Sequence, residues 1–188
     1  MRKRTVIAVV SMLLVLAAGL CACDSSIFHK RSGSDSTYDF MVTLIGSDLD
    51  TAVASLEEYM DIPLQDNGTY YGGAYSFNID FSIGNVEFDT LNIQLYEDGT
   101  VYYIILLQSE AYANDPDSIN DYLNQFDEIN TDLHDRYGEP VIEIPLHDTR
   151  EGQSNFERYG YSTQDCIIEI EYMFGGNVSD FSLTCRKK

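Results

Sequence analysis

The chain has no tryptophan, and between Arg31 and Arg186 it has no lysine. In that interval only Arg136, Arg150 and Arg158 carry a permanent positive charge. Against 31 acidic residues stand 11 basic ones, a formal net charge of −20. A nucleic-acid binder needs a positive footprint for phosphates, so that class is excluded. The same deficit repels the body of the chain from anionic lipid headgroups. The sequence also lacks a His-Glu-x-x-His pair, a zinc-type cysteine pattern, a phosphate loop and a dinucleotide fingerprint. No metal and no cofactor is therefore expected. Hydrophobic residues make up 44% of the chain, enough to build a core. The aromatic load of 14 Tyr and 9 Phe leans towards strands.

Long apolar runs are also missing, with one exception at the start. Arg2-Lys3-Arg4 precedes an apolar run from Val6 to Leu20, broken only by Ser11 and Gly19. At about 15 residues it falls short of the ~20 that a spanning helix needs. A basic segment, a short apolar run and small residues before a cut form a secretory signal. Leu20-Cys21-Ala22-Cys23 resembles a bacterial lipobox, with Leu at −3, Ala at −1 and Cys at +1. The resemblance implies loss of residues 1–22 as a lipoprotein signal peptide and diacylation of Cys23. It further implies a lipid-anchored protein on the extracytoplasmic side of the cell membrane. Ordinary secretion and a retained anchor are the competing readings. Without residues 1–22 the chain keeps 8 basic against 31 acidic residues, or −23. Residues 23–39, mostly Ser, Gly, Asp, His and Lys after the cysteine, read as a flexible tether.

Residues 40–188 read as one domain. A helix is predicted over 47–60, with Ser47 as cap, Asp50 as its capping-box partner and one buried stripe of Leu49, Ala52, Val53, Leu56 and Met60. Asp61-Ile62-Pro63 closes it. From Tyr75 to Ile83 apolar and polar residues alternate, which gives a strand with one wet face. Gly84-Asn85 makes a hairpin turn into the next strand. There the apolar positions pass from even (Val86, Phe88) to odd (Leu91, Ile93, Leu95), so a bulge is expected near Asp89-Thr90. Asp98-Gly99 is a second turn signal, and Val101–Leu107 is apolar on both faces. A second helix opens at Asp115-Pro116, carries a stripe from Ile119 to Tyr137, and stops at Gly138 and Pro140. Strands return at 141–144, 156–161, 166–174 and 178–185, with a polar loop at 145–155.

The predicted class is therefore α+β, two helices packed on an antiparallel sheet in the order helix–three strands–helix–four strands. Together with Ile45-Gly46-x-x-Leu49 and Tyr137-Gly138-x-Pro140, that order resembles the tandem α/β units of the β-lactamase-inhibitor-protein-like fold. The resemblance implies pseudo-repeats at 40–110 and 111–188 and one open sheet face offered to partners. It carries over no inhibitory activity. A cystatin-like or other α+β fold gives the same string.

In an exported domain, Cys166 and Cys185 suggest a disulfide. A turn at Gly175-Gly176 would set them directly opposite each other. Two reduced, buried thiols are the alternative. His147-Asp148, with Arg150 and Glu151 nearby, is the one local cluster resembling a hydrolase site, but no nucleophile signature accompanies it. Asp48-x-Asp50 and Asp115-x-Asp117 lack the later positions of a calcium loop and suit helix starts. His134 falls off the apolar stripe of its helix, and His29 lies in the tether. Tyr70, Tyr71, Tyr102, Tyr103, Tyr112, Tyr159 and Tyr161 offer amphipathic contact area for a protein, peptide or glycan. On Val101–Leu107, Val101, Tyr103, Ile105 and Leu107 are expected against the helices. Tyr102, Ile104 and Leu106 are expected on the open face as a binding patch, unless the tether or the 145–155 loop covers them. Two functions follow: a non-catalytic, membrane-anchored binding module of the cell envelope, or an envelope hydrolase using the His147-Asp148 loop.

Overall fold

The first helix, α1 (Ser34–Leu44), occupies residues whose polar composition reads as tether. The tether boundary at residue 39 is thus corrected, since 34–39 are helical. Tyr38, Met41 and Leu44 recur every three residues and are all buried, a stripe too short to stand out among Ser, Asp and Thr. The computed structural model describes residues 34–64, 68–71, 73–111, 116–146, 155–175 and 178–188. The signal segment, His29, Tyr112, Asp115 and the His147-Asp148 cluster lie outside the described residues.

Helix α2 (Leu49–Met60) is capped by Asp48 rather than Ser47. The Asp48 carboxylate accepts from the Thr51 backbone N–H at 2.9 Å and from its hydroxyl at 2.8 Å. These bonds hold the Asp48 carboxyl below the usual range. Asp61 takes the left-handed conformation at φ 57° and ends the helix two residues before Pro63. Helix α3 (Pro116–Tyr137) starts at its proline and ends at Gly138, whose φ of +81° suits glycine. Its Arg136 and Tyr137 both donate to Asp39 of α1, each at 2.8 Å, which ties the first helix to the third.

The strands are β1 (Thr69–Tyr71), β2 (Ala74–Ile83), β3 (Val86–Leu95), β4 (Val101–Ala111), β5 (Ile142–Ile144), β6 (Asn155–Ser162), β7 (Cys166–Gly175) and β8 (Val178–Lys187). They form one eight-stranded antiparallel sheet in the order β1-β2-β3-β4-β8-β7-β6-β5. Two four-stranded meanders therefore meet at the β4–β8 pair. The α+β class holds, but among the described residues there are three helices instead of two, and the first meander is lengthened by the short β1.

The three described helices pack on one face of the sheet. Tyr122 stacks on Tyr172, Phe126 meets Phe181 edge-on, and Tyr59 leans on Phe81. The register places Tyr172, Phe181, Leu183 and Leu106 on that same face, and their neighbours make a single buried cluster. Burial of these side chains is the main stabilising contribution, at roughly 25 cal/mol per Å² of apolar surface removed from water.

Candidate functional site

Among the described residues, the opposite face carries no helix. Its make-up follows from two bulges. On β2, three steps from Asn78 to Phe81 match two steps from Thr90 to Phe88, so the irregularity falls opposite Asp89, near the position predicted. On β4, Val101 pairs with Leu95 and Tyr103 with Gln94, which leaves Tyr102 as an extra residue. That second bulge changes the phase of β4. Val101 and Ile104, three residues apart, are both fully buried against the helices.

The expected binding set is corrected accordingly. Ile104 and Leu106 are core residues with 0% exposure, because the even positions beyond the bulge face the helices. Tyr103, Ile105 and Leu107 lie on the helix-free face and are part-exposed. The bulge also keeps Tyr102 with them. Its hydroxyl donates to Gln94 Oε1 at 2.7 Å, and its ring lies 4.6 Å from Tyr96 and 6.1 Å from Tyr103. The other tyrosines divide. Tyr161 is core and donates to Asn130 Oδ1 at 2.6 Å, Tyr159 packs against Phe126, and Tyr70 is exposed beside Tyr75.

Beside this aromatic–aliphatic strip run two ion pairs. Arg158 binds Glu171 directly across β6–β7. Arg186 of β8 donates to Glu169 of β7 at 2.6 Å. Glu169 is only 9% exposed, and a carboxylate that far from water requires such a partner. Thr184, also on this face, is 4% exposed. The sequence carries a signal for these pairs in the alternation Ile168-Glu169-Ile170-Glu171-Tyr172. The pairing itself depends on a register that alternation does not fix.

The two cysteines do not oppose each other. Cys166 pairs with Lys187, and Cys185 with Ile168. Gly175 pairs with Val178, whereas a turn at Gly175-Gly176 would need Phe174 opposite Asn177, so the register moves by two. The cysteines become diagonal neighbours, a spacing of about 7–8 Å in such sheets and too long for a disulfide. Both are buried free thiols, and burial pushes each thiol up from its ordinary range. This disfavours the thiolate and with it nucleophilic chemistry. His134 is half-exposed on α3, 3.6 Å from Glu139. Asp48 serves as a helix cap, the expected alternative to a cation loop.

A scan of family models, a search of curated proteins and a search of solved structures each found no match to this chain.

Proposed function

We propose that this chain is a membrane-tethered, extracytoplasmic, non-catalytic binding protein that takes its partner on the helix-free face of its sheet. One observation carries the reading. On central strand β4, with every described helix packed on the other side, Tyr102, Tyr103, Ile105 and Leu107 stand part-exposed in one strip. Monomeric proteins rarely leave such a strip uncovered without a use for it. Tyrosine supplies large contact area with a polar tip at low entropic cost. The order of the two meanders supports a tandem arrangement of the β-lactamase-inhibitor-like kind, in which an open sheet meets a partner. In this reading Cys23 bears the lipid that holds an otherwise repelled acidic body at the membrane, and Cys23→Ser abolishes incorporation of labelled fatty acid. The face is tested by capture from envelope extract. Residues 33–188 form one unit with its own core and serve as bait. A protein held by the wild type and lost by Ile105→Ser/Leu107→Ser supports the assignment, and identical capture by both overturns it.

A further inference from the structure

The polar groups beside the strip carry charge that cancels. Three rows of directly paired residues cross the helix-free face through Tyr103, Ile105 and Leu107. On the β3 side they meet Gln94, Asn92 and Thr90, all uncharged. On the other side, out to β6, the charged members are Arg186, Glu169, Glu171 and Arg158. In a chain of net charge −20, the rows from β3 to β6 therefore sum to zero. Both ion pairs share one geometry. Arg186 sets Nε and Nη2 against a single oxygen of Glu169, Oε1, at 2.6 and 2.5 Å. Arg158 sets the same two nitrogens against Oε2 of Glu171. The pairs leave Nη1 of each guanidinium, a donor, and the second oxygen of each carboxylate, an acceptor, outside their own bonds. Among the described residues no further hydrogen bond takes these atoms up. Both arginines and Glu171 are part-exposed, so a ligand can reach them.

Resting on the binding reading above, we propose that what this face recognises on its partner is an uncharged oligosaccharide. A sugar ring packs a C–H face on Tyr103, whose ring face is the negative side of its quadrupole, and the chain continues over Ile105 and Leu107. Its hydroxyls donate to Glu171 Oε1 and accept from Nη1 of Arg158 and Arg186, while the amides of Asn92 and Gln94 add donors from β3. A hydroxyl both donates and accepts, as this mixed set of groups requires. Charge and size select this occupant. A charged ligand finds no net opposite charge in the rows, and a second copy would press two chains of net charge −20 together. Five strands about 4.8 Å apart and three rows about 6.8 Å apart span roughly 19 Å by 14 Å. That is on the order of 300 Å², under half of the roughly 800 Å² that each side of a standard protein interface covers. A short run of sugar rings fits within the rows, and a folded protein would extend beyond them.

An array of immobilised uncharged, anionic and cationic oligosaccharides, probed with labelled residues 33–188, tests this. Binding is expected to uncharged members, at an affinity that high salt leaves in place. Glu171→Gln should weaken it about tenfold, because a hydrogen bond to a charged group is lost. Tyr103→Ser/Leu107→Ser should abolish it, with the urea midpoint of each variant near that of the wild type. The partner captured from envelope extract gives a second measurement. Mild periodate cleaves vicinal diols and spares peptide bonds, so treating the extract with it should destroy capture. No binding to any uncharged member, or a preference for cationic members that salt removes, overturns the saccharide. Capture that survives periodate but is lost by Ile105→Ser/Leu107→Ser means that a polypeptide is recognised, and the face stands without the saccharide. Saccharide binding unchanged in both Glu171→Gln and Tyr103→Ser/Leu107→Ser overturns the face as well.

Discussion

Single residues decide more here than their chemistry suggests. Tyr102 is an extra residue in β4, and its insertion sends Ile104 and Leu106 inward and leaves Tyr103, Ile105 and Leu107 outside. Register acts likewise on the cysteines. The β7–β8 pairing of Gly175 with Val178 exchanges a directly opposed pair for a diagonal one. The body, residues 33–188, should therefore show no reactive thiol while folded and two after unfolding without reductant. No thiol after unfolding would mean that a bond has formed. Asp48 gives a pH-dependent contribution of known sign. Its folded pKa lies below its unfolded one, because it accepts from the Thr51 hydroxyl and N–H. The stability it adds is present above the unfolded carboxylate pKa and is lost as pH falls through the folded value. Asp48→Ala should lower Tm at neutral pH, and the gap to wild type should close in acid. Thermal melts across that range check this, and a gap independent of pH contradicts it.

At the scale of elements, what could be read from the sequence was what periodicity and punctuation encode. The long stripe of α3, its proline start and Gly138 stop, and the strand pairs around Gly84-Asn85 and Asp98-Gly99 all emerge in place. Helix α1 does not, because only its Tyr38, Met41 and Leu44 stripe distinguishes it from a polar linker, and tertiary burial supplies what its composition withholds. The two faces of β4 were legible as apolar, but not which was which, since a bulge is set by pairing with β3 and not by local sequence. Urea unfolding separates these assignments. Met41→Ala and Leu106→Ala should each cost about 3 kcal/mol, as buried large-to-small changes do. Leu107→Ser should stay within about 1 kcal/mol, as substitutions outside the core do. A neutral Met41→Ala would return residues 34–44 to the tether, and a large loss at Leu107 would place that face in the core.

At the scale of the molecule, helices shield one side of a sheet eight strands wide and a mostly acidic surface surrounds the other. Two engaged Arg–Glu pairs flank an aromatic–aliphatic strip at its centre. The candidate site was half visible in advance. β4 carries an apolar set on each face, but of Tyr102, Ile104 and Leu106, expected on the open one, only Tyr102 lies there, and Ile104 and Leu106 face the core. The ion pairs that make the face polar depend on contacts between β6, β7 and β8 that only the folded register creates. Each end of the sheet is a three-residue strand, too short to offer a long edge for pairing, so the broad surface left for recognition is the face itself. The most direct test places a photo-crosslinking amino acid at Ile105 in the full-length protein in the cells that make it, and at exposed Asn124 on α3 as the control. Irradiation should give a discrete adduct from position 105 and none from 124. Adducts from position 124 alone, or from neither position, would contradict the account.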